Sequence, residues 1–203
     1  MKRLAILGAS GHGKVVADTA QLSGWDEVVF FDDAWPECSV NSAWPVLGKT
    51  IDLLACLGQF EGVVVAIGDN AIRLKKLIML RENGAILPSI VHPQAVVSRY
   101  AHIDVGSVVF AGVVINADAR IGMGAILNTG CSVDHDCLLA DAVHISPGAR
   151  LAGGVNVDQC VWVGMGAVVK QLLTVGAYSI VGAGAVVVKN VLENTVVKGV
   201  PAK

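Results

Sequence analysis

The chain has 203 residues, enough for one large domain or two modest ones, and 15 Lys+Arg against 17 Asp+Glu leave a net charge of −2. A balance this close to zero gives no basic footprint for nucleic acid and no polybasic anchor for a membrane surface. Hydrophobic residues make up 54% of the chain, yet Gly, Asp, Asn and charged residues interrupt every aliphatic run, so no stretch reaches the roughly 18 apolar residues of a membrane span.

Met1-Lys2-Arg3-Leu4 runs straight into a strand, with no room for a secretory leader. Five cysteines in no close-spaced metal motif favour reduced thiols and a cytoplasmic setting. Residues 3–8 read as a buried parallel strand, and Gly8-Ala9-Ser10-Gly11-His12-Gly13 leads into a helix over residues 14–23. Residues 27–31 predict a second strand ending at Asp32-Asp33, and residues 62–68 a third. Residues 69–83 predict a helix, with Ile72, Leu77 and Leu80 at helical spacing. This alternation implies an α/β domain of Rossmann type over residues 1–88.

The turn spacing, Gly-x-x-Gly-x-Gly, is not the dinucleotide fingerprint. It still presents backbone N–H groups at a helix start, a ready site for a diphosphate. Asp32-Asp33, about 20 residues further on, suit a ribose or a base edge. The plainer alternative is a tight turn followed by a solvated acidic loop. His12 favours binding, because a plain turn has no use for an imidazole.

From Val91 to Val187 every sixth residue is Val, Ile or Leu, without one insertion. That period fits neither a helix face nor the alternation of a plain strand. It fits a parallel β-helix of hexapeptide repeats, three to a triangular coil, over residues 89–203. Four places past each aliphatic the residue is usually small, as at Ala119, Ala125, Cys131, Ala149 and Ala167, so each side of the prism sends one large and one small residue inward. Gly122, Gly164, Gly176 and Gly182 directly follow an aliphatic, where a tight corner favours a permissive backbone. Cys131 and Cys137 occupy the small inward position and read as core packing.

Residues 18 apart stack in neighbouring coils, about 4.8 Å apart like adjacent strands. His135, two places past Val133, projects outward, and Gly153 falls directly over it. An imidazole beneath a glycine N–H is a base paired with an oxyanion donor; the plainer reading is a surface histidine with a local hydrogen bond. Asp136 is placed to orient the ring or raise its basicity. His144, half a coil on, leaves the prism elsewhere, so the two histidines converge only at a seam between subunits of a cyclic oligomer. Pro147, Met165, Ala183 and Pro201 line one ridge, suited either to an extended ligand such as a pantetheine arm or to a subunit interface. His92 and His102 read as structural. A metal site from His102, His135 and His144 fits badly, because their columns do not converge in one chain.

Asn128-Thr129-Gly130-Cys131-Ser132-Val133-Asp134-His135-Asp136-Cys137 and His144-Ile145-Ser146-Pro147-Gly148-Ala149 carry a family resemblance. With Gly8-Ala9-Ser10-Gly11-His12-Gly13 and Gly199-Val200-Pro201-Ala202-Lys203, it spans the whole chain. The sequence resembles the left-handed β-helix acyltransferases that modify bacterial nucleotide-linked sugars and sialic acids. Its likeness is greatest to the UDP-4-amino-sugar N-acetyltransferases that complete N,N'-diacetylbacillosamine for protein glycosylation. The resemblance implies a first domain that holds the nucleotide sugar, a solenoid that forms a homotrimer, acetyl-CoA in the groove between prisms, and no metal. It implies His135 as general base with Asp136 behind it, although many relatives carry Glu there, and the Gly153 N–H as oxyanion donor. His144, Met165 and Ala183 are then expected at acetyl-CoA. Ser10, Gly11 and His12 are expected at the diphosphate, Asp32 and Asp33 at the uridine, Gly68 against the nucleotide and Asn128 at the sugar. The implied reaction is direct acetyl transfer in a ternary complex. O-acetylation of a sialic acid, or a non-catalytic trimeric scaffold that binds sugar nucleotides, are the competing readings.

Overall fold

A computed structural model describes residues 1–203, and the chain divides into two compact units, Met1–Pro93 and Gln94–Lys203. The first unit runs β1 (Arg3–Leu7), α1 (Gly11–Leu22), β2 (Glu27–Phe31), a hairpin of β3 (Val40–Asn41) and β4 (Trp44–Pro45), α2 (Thr50–Ala55), β5 (Gly62–Val65) and α3 (Asn70–Glu82). β1 is central, parallel to β2 on one side and β5 on the other, with Leu7 beside both Phe31 and Val65. Leu4, Ala5, Ile6, Phe30 and Val64 are fully buried, which is why these strands read as unbroken aliphatic runs rather than alternating ones.

α1 buries Gly13, Val16, Ala17 and Ala20, one stripe at helical spacing. Asp69 caps α3 by accepting the Ile72 N–H at 2.9 Å. All three predicted strands and both helices are present. The hairpin and α2 were not predicted, because two-residue strands and a six-residue helix are too short to show a period. No helix is long and apolar enough to cross a membrane.

In the second unit two-residue strands recur every six residues as far as Val186–Val187; each up to Val168–Val169 pairs in parallel with the strand 18 residues on, and Ile180–Val181 pairs with Val196–Val197, 16 residues on. Val114, Ser132, Arg150 and Val168 align along one face. Arg120, Leu138, Asn156 and Thr174 align along the second. Ile126, His144, Trp162 and Ile180 align along the third. The repeat aliphatics Ile115, Val133, Ile145, Val163 and Val181 point inward and are at most 1% exposed, as are the small residues Ala119, Cys131, Ala149 and Ala167.

The corners differ in detail from the expectation. Every sixth residue from Gly106 to Gly184 takes a left-handed φ between 54° and 70°, three places after the aliphatic rather than one. Gly122 and Gly164 are small for another reason. A Cβ at Gly122 would lie 2.7 Å from the Ala140 carbonyl carbon, and one at Gly164 2.6 Å from the Val181 oxygen, so the next coil requires their bareness.

Candidate active site

The glycine-rich turn leaves the carboxyl end of β1, from which the chain first returns as β2 on one side and later as β5 on the other. That reversal of strand order opens a crevice where open α/β sheets bind ligands. Gly8 enters the turn at φ 113°, and its N–H donates to the Phe31 carbonyl at 2.8 Å. Gly13 lacks a Cβ because one would stand 2.5 Å from the Gly8 oxygen. Gly11 and Gly68 have no such reason: no heavy atom lies within 4 Å of where their Cβ would be. Their bareness leaves backbone open to a ligand.

Asp32 fastens this turn. One carboxylate oxygen accepts the Ala9 N–H at 2.7 Å and the other the Ala34 N–H at 2.9 Å. Asp33 accepts the Thr50 N–H at 2.8 Å and faces Lys76 Nζ at 3.2 Å. The Thr50 hydrogen bond above all holds the Asp33 carboxyl below its ordinary range. The Ser10 hydroxyl does not cap α1, and the Ser10 carbonyl is held by Asn41 Nδ2 at 3.1 Å. Asn41 is a buried polar residue on the hairpin that no sequence pattern marked. The half-buried His12 has its pKa lowered to about 4, by desolvation first and the Arg73 charge second, so its imidazole is neutral at pH 7. Arg73, 1% exposed, donates to the carbonyls of Ile67 at 2.9 Å and Gly68 at 3.2 Å, which pins the loop after β5.

On the solenoid, His135 Nδ1 lies 2.7 Å from Asp136 Oδ2. Asp136 occupies a left-handed corner at φ 59°, a conformation that aspartate tolerates better than most side chains. With Nδ1 donating to the carboxylate, Nε2 is left as the basic nitrogen. The ring lies hard against Gly153, where a Cβ would be 2.5 Å from both Nε2 and Cε1. His135 is exposed, and its pKa is raised from 6.5, chiefly by the Asp136 hydrogen bond. Following its C–H resonances by NMR should give a midpoint above 6.5. Asp136→Asn should bring it back down; an unmoved midpoint would show that Asp136 is not the cause.

His135, Asp136, Gly153, Gly154, Gln171 and Leu172 line an open cavity of about 420 Å³. Gln171 and Leu172 went unmarked in the sequence, although they stand 18 residues past Gly153 and Gly154 and column arithmetic finds them.

His144 lines a separate apolar cavity of about 420 Å³ with Pro147, Trp162, Met165, Ile180 and Ala183. Three of the four ridge residues therefore share one groove, while Pro201 lines another cavity with Lys189 and Lys203. The structure places Asn128 against His144. Its Oδ1 accepts the Thr129 N–H at 2.9 Å, which fixes the amide and leaves Nδ2 to donate to His144 Nε2 at 3.2 Å. Nε2 accepts, so this bonding assigns the His144 proton to Nδ1. Cys131 and Cys137 are fully buried, and burial pushes the Cys131 thiol up to about 12 and the Cys137 thiol upward. No group of three or more His, Cys, Asp or Glu side chains is placed to hold a metal.

Residues 3–80 match the PglD N-terminal domain family. The whole chain superposes on a single-residue mutant of perosamine N-acetyltransferase from Caulobacter crescentus in complex with CoA and GDP-perosamine. That match has a TM-score of 0.95 and 41% identity, covering 100% of this chain and 96% of that one. The acetyltransferase domain of PglB from Neisseria gonorrhoeae, in complex with acetyl coenzyme A, matches with a TM-score of 0.96 and 41% identity over 100% and 98% of the two chains. WeeI from Acinetobacter baumannii matches with a TM-score of 0.91 and 28% identity over 100% and 99%. With two relatives at 41% identity over the whole of this chain, and a solenoid and glycine turn built as described, the chain belongs to the acetyl-CoA-dependent nucleotide-sugar N-acetyltransferases of the left-handed β-helix family.

Proposed function

We propose that this protein transfers acetyl from acetyl-CoA to the 4-amino group of a nucleoside-diphosphate-linked amino-deoxysugar, with His135 as general base. The observation that carries the proposal is the His135 ring, bonded to Asp136 at Nδ1 and resting on Gly153. As the sugar amine attacks the thioester carbonyl, a C–N bond forms and Nε2 of His135 takes the amine proton. The Gly153 N–H bonds the oxyanion of the tetrahedral intermediate. Collapse breaks the C–S bond, and the leaving thiolate takes the proton back from His135.

The groove of His144, Met165 and Ala183 receives the pantetheine arm. The buried, high-pKa Cys131 and Cys137 thiols offer no acyl acceptor, so both substrates are bound together before transfer. His135 and His144 line separate cavities, and a homotrimer completes each site by setting one copy against the next.

In the first unit, the turn at Ser10, Gly11 and His12 takes the diphosphate, and Gly68 lies against the nucleotide. Family likeness supports uridine beside Asp33, and with it the bacillosamine branch of glycan and glycoprotein assembly, while Asp32 serves the site through the Ala9 and Ala34 backbone that it holds. Guanosine is the second reading, favoured by the 41%-identical Caulobacter relative in complex with GDP-perosamine.

Thiol release from acetyl-CoA, measured against UDP-, dTDP- and GDP-linked 4-amino sugars and against sialic acid, tests the proposal. Release with one 4-amino sugar supports it and names the nucleotide. Release with sialic acid alone replaces it by O-acetylation. Silence with retained nucleotide binding replaces it by a scaffold. Gly11→Val is expected to raise KM for the nucleotide sugar about tenfold, ~1.4 kcal/mol of binding. Its melting temperature should hold, since nothing stands within 4 Å of the new Cβ; an unchanged KM would remove Gly11 from the site.

A further inference from the structure

We propose that Trp162 is a positioning residue that holds the His144 ring for acetyl transfer; the proposal rests on the acetyltransferase reading above. Trp162 follows His144 by one coil on the same face, and the two rings lie parallel, 5.9 Å apart at 6°. The indole is itself anchored, its N–H donating to Ser146 Oγ at 2.8 Å, and Ser146 is 4% exposed. Core packing does not account for this residue. It occupies an outward position, is 46% exposed, and leaves the inward role to Val163, which is fully buried.

His144 is therefore restrained in two independent directions. The Asn128 amide meets the ring edge at Nε2 and fixes its rotation and tautomer. The indole lies parallel to the ring and limits its tilt. Together they hold the ring in one orientation at the edge of the groove shared with Met165 and Ala183. A ring held in place in advance costs no reorganisation when the thioester arrives. Misplacing such a group by about 1 Å can cost as much as 10²-fold in rate.

Trp162 also walls that groove, so the test must separate aiming a ring from binding a coenzyme. Trp162→Leu keeps apolar bulk and removes the flat face, while Trp162→Phe keeps a face and removes the Ser146 anchor. In Trp162→Leu, kcat should fall about tenfold or more with KM for acetyl-CoA within about twofold, and Trp162→Phe should recover part of the loss. In wild-type protein with ¹⁵N-labelled histidine, His144 should carry its proton on Nδ1, with ring C–H resonances shifted upfield by the indole, and Trp162→Leu should abolish that shift. A raised KM with intact kcat would reduce Trp162 to a groove wall and overturn the proposal, as would His144 signals unmoved by Trp162→Leu. Absence of acetyl transfer by the wild-type protein would instead overturn the acetyltransferase reading, and the resonance measurement would still decide whether Trp162 orders the ring.

Discussion

His135→Ala is expected to lower kcat by about 10²–10⁴-fold while KM for acetyl-CoA stays within a few-fold. The expectation follows from the division of labour between two cavities. His135 lines one with Asp136 and Gly153, and the apolar groove proposed for the coenzyme arm lies around His144 and Met165. Removing the imidazole takes away the proton acceptor and leaves the groove untouched. The loss should be greatest above the raised pKa of His135, where the wild-type imidazole is neutral, and should shrink as the pH falls and the ring itself is protonated. His135 is exposed, so the substitution leaves no hole in the core and the variant should fold as wild type. Steady-state kinetics with both substrates varied is the measurement. Retention of more than about a tenth of turnover would remove His135 as the base.

Gly153→Ala should lower kcat by about 10²-fold or more. The added methyl would stand 2.5 Å from Nε2 and Cε1 of His135, and of the two groups the exposed ring is the one able to move. The fold should survive and the aim of the base should not. A fall in melting temperature comparable to that of a core mutation would mean that the coil itself had yielded, contrary to this account. The double variant with His135→Ala separates two roles for the glycine. If Gly153 matters only by leaving room for the ring, adding Gly153→Ala to His135→Ala should cost nothing further. If its N–H also binds the oxyanion, a ring swung aside is a partial explanation, and a second loss should remain where the methyl disturbs that N–H.

The large features of the fold were legible because they are periodic. Ile115, Val133 and Ile145 announce the prism through their spacing, and the stacking of Gly153 on His135 follows from counting 18 residues. The corners were harder to read. Their left-handed position is glycine in many coils but is filled by Asp118, Asp136, Ala142, Cys160, Leu172 and Tyr178 in others, which dilutes the signal. Contacts that depend on which atom faces which were not legible. Asp32 was expected at a ribose or base, and its oxygens hold the backbone of Ala9 and Ala34. Asn128 was expected at the sugar and meets His144. Asn41 and Trp162 lie on short strands whose pattern says only inward or outward, not what the side chain grips.

The coil register also limits how such a chain can change length. Gain or loss of a single residue within the repeat would turn aliphatics such as Val133 and Leu151 out of the core, and the fold itself would select against it. Gain or loss of six between His135 and Gly153 would keep every aliphatic inward, yet would carry the two residues to different edges of the prism. Such a protein would remain well packed and lose its chemistry. Whole hexapeptides gained or lost outside the span from His135 to Ala183 preserve both, so the candidate site tolerates length changes in fewer places than the fold that bears it.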